Sequence, residues 1–172
     1  MKKNPLHSLA LGAIIASLYV AVNYAQAAIF PGSTNMAVQF RVAEALCIFA
    51  CLTPIAIPGL VVGCFLANFV SVSVMPIDLL IGTLATLGAV VCMYLLRKVR
   101  LFSAPLFAFL MPALFNGVLV GLELELFLGE GAFSFGAFLI TGASVALGEL
   151  VVLFVLGLPL YYAMRRTKLF SV

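Results

Sequence analysis

Arg41 and Glu44 stand three positions apart in the stretch Gln39-Phe40-Arg41-Val42-Ala43-Glu44, inside an otherwise apolar segment. The other basic residues fall into three clusters, Lys2 with Lys3, Arg97 with Lys98 and Arg100, and Arg165 with Arg166 and Lys168, so Arg41 is the one arginine or lysine outside them. Residues three apart share a helix face, so the pair can point at a common partner or at each other. An ionisable group at membrane depth costs about 2.5 to 3.5 kcal/mol on insertion scales and marks a functional site facing the protein interior. Two readings follow: a site for a polar solute, or a self-neutralising pair that only fixes helix packing. Other polar residues lie in apolar surroundings: Asn23, Gln26, Asn68, Asn116, Glu123 and Glu149. Asn116 and Glu123 are seven apart and share one helix face. Glu149 follows Gly148 near the middle of a long apolar run, so it must pair, protonate or bind something. Each amide alone reads as a structural hydrogen bond. Together the amides and carboxylates describe an outward-facing pocket for a cationic or donor-rich solute.

The chain that must position them is 65% hydrophobic and 9% charged over 172 residues, with a mean hydropathy of +1.28, which excludes an ordinary soluble domain and indicates a polytopic membrane protein. Cys47, Cys51, Cys64 and Cys92 lie in apolar stretches without metal-site spacing, and His7 is isolated. No metal and no cofactor are expected. There is no G-x-x-x-x-G-K-[ST] phosphate loop, no H-E-x-x-H and no G-x-S-x-G. The chain is therefore read as binding or carrying something rather than as an enzyme. Lys2-Lys3, the apolar run after them and Ala25-Gln26-Ala27 imitate a signal peptide, but the run from Leu9 to Ala28 is too long for a typical signal core.

The positive-inside rule puts all three basic clusters on the cytoplasmic side, which requires an even number of crossings between them. An all-α integral membrane fold with six transmembrane helices and both termini cytoplasmic satisfies that rule. The helices are expected near 7–29, 37–53, 58–74, 77–96, 104–128 and 134–164, within a single transmembrane domain covering 1–172. Residues 31–35 make an outer loop, 53–59 an inner turn, and Asp78 caps the fourth helix. Glu125 and Glu130 read as a solvated rim at the outer end of the fifth helix. On the first helix, Gly12 with Ala16, Ala13 with Ser17, and Ala21 with Ala25 are small-xxx-small pairs that let another helix approach. No internal repeat is found.

The string Val38-Gln39-Phe40-Arg41-Val42-Ala43-Glu44-Ala45-Leu46, then Pro58-Gly59-Leu60 through Gly63-Cys64 to Ala67-Asn68, then Asp78 through Gly82-Thr83-Leu84-Ala85-Thr86, resembles the QueT family. These are substrate-binding S components of energy-coupling-factor transporters, associated with uptake of queuosine precursors. The resemblance implies an S-component-like helical bundle in the lipid bilayer of the bacterial plasma membrane, without a nucleic-acid partner. It further implies docking on a transmembrane coupling subunit driven by two ATP-binding subunits. The small pairs Gly12/Ala16, Ala13/Ser17 and Ala21/Ala25 are similar to the family's docking surface, and which pair docks is left open.

A 7-deazaguanine offers two adjacent N–H donors and an O6 acceptor. The site implied for it is Glu44 on the donor edge, Arg41 or Gln39 on O6, Asn68, Asn116 and Asn23 lining the pocket, and Glu149 or Glu123 on the amine of an aminomethyl form. Phe40, Phe69 and Phe115 are the expected stacking rings. Alternatively, Arg41 neutralises Glu44 and the amides read the base. Three other functions stay open at this point: an S component for another heterocyclic vitamin, an ion-coupled carrier with Glu149 as its proton site, and a scaffold without a solute.

Overall fold

A computed structural model describes residues 5–30, 40–70, 76–128 and 133–167. Lys2, Lys3, the loop at 31–35, Gln39, Glu130, Lys168 and the side chain of Asp78 lie outside the described residues.

Every regular element described is helical. Helix α1 spans Pro5–Ile29, a 3-10 segment Val42–Ile48 runs into α2 at Phe49–Leu52, and α3 spans Ala56–Val70. Helix α4 spans Pro76–Leu96, α5 Leu106–Phe109, α6 Met111–Leu128, α7 Phe135–Val152 and α8 Leu158–Met164, with a π segment Leu153–Gly157 joining the last two. Proline sets several of these boundaries. Pro5 and Pro76 open α1 and α4, where the missing N–H is an orphan in any case. Thr53, held extended at φ −149° and ψ 140°, precedes Pro54 and ends α2. Pro112 cannot donate to the Ala108 carbonyl, and the expected helix over 104–128 is interrupted between α5 and α6. Pro159 likewise cannot donate to Val155, and the chain widens into the π segment just before it.

Among the described residues, four helices are long and apolar enough to cross a membrane: Pro5–Ile29, Leu79–Leu96, Leu106–Phe127 and Phe135–Met164. The segments Val42–Leu52 and Ala56–Phe69 are shorter. Where one α-helix over 37–53 was expected, the described part is seven 3-10 residues and four α residues, roughly 20 Å long against a hydrocarbon core of about 30 Å. Every residue from Ala43 to Cys51 is buried, because this segment touches α1, α3, α4, α7, α8 and the π segment. It is the axis around which the longer helices are packed.

Polarity runs inside out. Leu9, Ile14, Phe69, Leu84, Ile140 and Val155 are exposed, whereas Glu44, Asn116 and Glu149 are wholly buried. Apolar side chains spread over the whole outer surface fit lipid as the surrounding solvent.

Glycine governs two of the closest helix contacts. A β-carbon on Gly59 would lie 2.6 Å from the Gly12 carbonyl oxygen, and one on Gly63 would lie 3.0 Å from that of Ala16. Helix α3 thus covers the Gly12/Ala16 face of α1, and that pair, expected to dock a partner protein, is occupied within the chain. Ala13, Ser17, Ala21 and Ala25 remain exposed. Between α6 and α7, a β-carbon on Gly142 would lie 2.6 Å from the Gly117 carbonyl oxygen.

The basic residues after α4 and after α8 meet at one end of the bundle. Arg165 donates to the Ser103 carbonyl at 2.7 Å, and Tyr162 donates to the Phe102 carbonyl at 2.7 Å. These bonds hold a tight turn in which Phe102 and Ser103 adopt φ of 51° and 65°, a conformation that non-glycine residues keep only when their surroundings impose it.

Candidate functional site

Gln26 on α1 anchors the entry to the buried 3-10 segment. Its Nε2 donates to the Phe40 carbonyl, and its Oε1 accepts from Val42 N at 2.7 Å. Both backbone groups lie at or outside the helix start, where no intrahelical partner exists, so the amide satisfies them and fixes Arg41 between them. In a 3-10 helix residues i and i+3 are eclipsed. That alignment stacks Glu44 on Cys47, whose thiol donates to Glu44 Oε2 at 2.9 Å.

Glu44 Oε1 accepts from the Tyr19 hydroxyl at 2.6 Å and from Thr86 Oγ1 at 3.4 Å. With the Cys47 contact, three of about four acceptor positions on the carboxylate are taken by neutral donors of the chain itself. Cys64 joins this cluster at 3.2 Å from Thr86 Oγ1 and 3.6 Å from Asn68 Nδ2, and its own thiol points to the Gly82 carbonyl at 3.7 Å.

Arg41 does not close onto Glu44. It is half-buried, within electrostatic reach of Glu149, Tyr19 and Glu44; its carbonyl accepts from Glu44 N at 3.0 Å, and no ion pair or hydrogen bond of its guanidinium is found among the described residues. Its NH1 lies 3.9 Å from the position a Gly82 β-carbon would take, and Asn68 Nδ2 lies 2.9 Å from the same point. Two donors, a guanidinium and an amide, therefore flank Gly82.

Across the bundle, the close contact of Gly117 with Gly142 and Ala146 sets α6 against α7 and brings Asn116 opposite Glu149. Asn116 Nδ2 donates to Glu149 Oε1 at 3.2 Å. Asn116 Oδ1 and Glu149 Oε2 are buried and have no partner among the described residues. An acceptor left this way costs about 1 to 3 kcal/mol, and more when charged.

The expected site residues divide accordingly. Among the described residues, the Arg41 guanidinium, the second N–H of Asn68, Asn116 Oδ1 and Glu149 Oε2 are left without partners, whereas Glu44 is turned into a network with the protein. Asn23 is half-buried on α1, Glu123 is buried on α6 two turns beyond Asn116, and Phe40 is half-buried. Gln39 lies outside the described residues. Two of the expected stacking rings are engaged elsewhere. Phe69 is 68% exposed and stacks on Phe65 at the outer surface, with ring centroids 6.2 Å apart. Phe115 covers Gly88, where a β-carbon would lie 2.3 Å from the ring. Tyr19, Thr86, Cys47, Cys64 and Gly82 were not singled out as site residues from the sequence. A signal for Tyr19 exists in the spacing Leu11, Ile15, Tyr19 and Gln26, which puts the phenol on the buried face of α1 together with the amide.

Among the described residues, four membrane-length helices, an apolar exterior and a buried set of charged and amide side chains define a membrane protein with a polar interior. The chain matches the family model described as QueT transporter over residues 9–166, and it belongs to the QueT transporter family. No curated protein and no solved structure matches it. It is therefore a multi-pass membrane transporter and not an enzyme.

Proposed function

We propose that the chain is the substrate-binding S component of an energy-coupling-factor importer and captures a queuosine precursor, a 7-deazaguanine base such as 7-aminomethyl-7-deazaguanine, from outside the cell. The observation that supports this most directly is that donors and unpartnered acceptors occur within electrostatic reach of each other: the Arg41 guanidinium and the second N–H of Asn68 beside Gly82, and, without partners among the described residues, Asn116 Oδ1 and Glu149 Oε2. A flat base with a carbonyl acceptor and amine donors complements both. In this reading the shorter segments Val42–Leu52 and Ala56–Val70 complete a six-helix bundle with both termini cytoplasmic, in the bacterial plasma membrane.

Release inward would be driven by a transmembrane coupling subunit and two ATP-binding subunits. Because α3 covers Gly12 and Ala16, the face of α1 left for the coupling subunit carries Ala13, Ser17, Ala21 and Ala25. The test is uptake of labelled 7-aminomethyl-7-deazaguanine by cells that make this chain with or without the coupling and ATP-binding subunits. Uptake only in their presence, and insensitive to an uncoupler, is expected. Uptake by the chain alone, abolished by an uncoupler, would instead identify an ion-coupled carrier, the reading that a buried Glu149 with an unpartnered oxygen also favours.

A further inference from the structure

Asn116 has only one way to face Glu149. Its NH2 group must point to Oε1, because a reversed amide would oppose two oxygens, and this leaves the amide oxygen as the outstanding group. The second oxygen of Glu149 is outstanding too, so the two atoms of the pair left without any partner among the described residues are both acceptors. Glu44 does not offer the same: it is as deeply buried as Asn116 and Glu149, but its carboxylate already receives Tyr19, Thr86 and Cys47. Around Gly82 the polarity is opposite, with donors from Arg41 and Asn68.

Resting on the proposed capture of a deazaguanine, we infer that Glu149 and Asn116 are the residues that read its N–H donor edge, the ring N–H and the exocyclic 2-amino group. Glu44 then serves as a structural acceptor rather than a reader, and Arg41 with Asn68 receives the ring carbonyl. The inference fixes what the site rejects. A ligand lacking the 2-amino group leaves a buried acceptor bare, and sites built to bond a donor discriminate against such analogues by large factors.

The experiment is a titration of the purified full chain in detergent with 7-aminomethyl-7-deazaguanine and with its 2-desamino counterpart, repeated on Glu149→Gln, Asn116→Leu and Glu44→Gln. Wild-type protein should bind the 2-desamino compound at least about 100-fold more weakly. Because each variant removes one of the two acceptor oxygens that the donor edge requires, that preference should shrink to a few-fold in Glu149→Gln or Asn116→Leu. It should persist in Glu44→Gln, and two independent variants guard against one that fails to fold. Equal binding of both compounds by wild type would overturn the inference while leaving the capture function standing. A preference lost only in Glu44→Gln would overturn it in favour of Glu44. No binding of the parent compound would remove the capture function and the inference with it.

Discussion

Gly63 on α3 and Tyr19 on α1 pack so closely that a β-carbon on the glycine would lie 2.8 Å from the Tyr19 β-carbon. The same tyrosine donates to the buried Glu44 at 2.6 Å. The small-residue contact between the two helices thus sets the position of a hydrogen bond in the centre of the bundle.

Gly63→Ala should force α1 and α3 apart and lower stability by about 1 to 3 kcal/mol, the usual cost of overpacking. Gly12→Ala is the control, because its added carbon would meet only the Ile55 carbonyl, at 3.8 Å. Thermal unfolding in detergent should show a clear drop for the first and little change for the second. Equal melting temperatures would show that the contact is looser than described.

Tyr19→Phe removes the shortest hydrogen bond to a wholly buried carboxylate. A bond to a charged group contributes about 1.5 to 3 kcal/mol, and that loss should appear in the unfolding free energy. Ligand affinity measured on the folded fraction should stay within a few-fold of wild type. A large loss of affinity without loss of stability would move Glu44 from the structural network into the binding site.

Gln26→Leu strips partners from the Phe40 carbonyl and the Val42 amide at once. Each orphaned backbone group costs about 1 to 3 kcal/mol, and Arg41 loses the residues that hold it in place. Stability and ligand affinity should fall together, read by unfolding and by titration of the same preparation.

Glu149→Gln should separate the two. Glu149 Oε2 is buried without a hydrogen-bond partner among the described residues, so replacing the carboxyl with a neutral amide relieves the cost of burying it, and the empty protein should melt at the same temperature or a few degrees higher. Affinity for the deazaguanine should nevertheless fall by at least about tenfold, as one of the two unpartnered acceptor oxygens is replaced by a donor NH2 group. A loss of stability in the empty protein would mark Glu149 as a packing residue.

The membrane class was legible because long apolar runs lie between sparse charges, and the runs that became α1, α4, α5 with α6, and α7 through α8 gave helices of membrane length. Glu149 stood out because nothing polar surrounds it in sequence. The segment after Arg41 was harder to read. An α-period face search treats Val42–Ile48 as an amphipathic helix, but it is buried on every side, so its 3-10 winding was set by neighbours distant in the chain. Tertiary contacts also decided the role of the small residues on α1, since Gly12 and Ala16 look like Ala21 and Ala25 in sequence and differ only in meeting Gly59 and Gly63. Phe69 and Phe115 show the same limit for aromatics: whether a ring faces lipid, covers a glycine or stacks on a solute depends on helix rotation, which composition does not encode.

The most direct test of solute capture is calorimetric titration of the purified, detergent-solubilised chain with 7-aminomethyl-7-deazaguanine beside guanine and thiamine, with Arg41→Gln as the variant. Saturable one-to-one binding of the deazaguanine, absent for thiamine and weakened at least about tenfold by losing the guanidinium's charge-assisted contact, is the predicted result. No binding of any of the three by folded wild-type protein, or binding unaffected by Arg41→Gln, would contradict the assignment of this buried donor and acceptor cluster as the capture site.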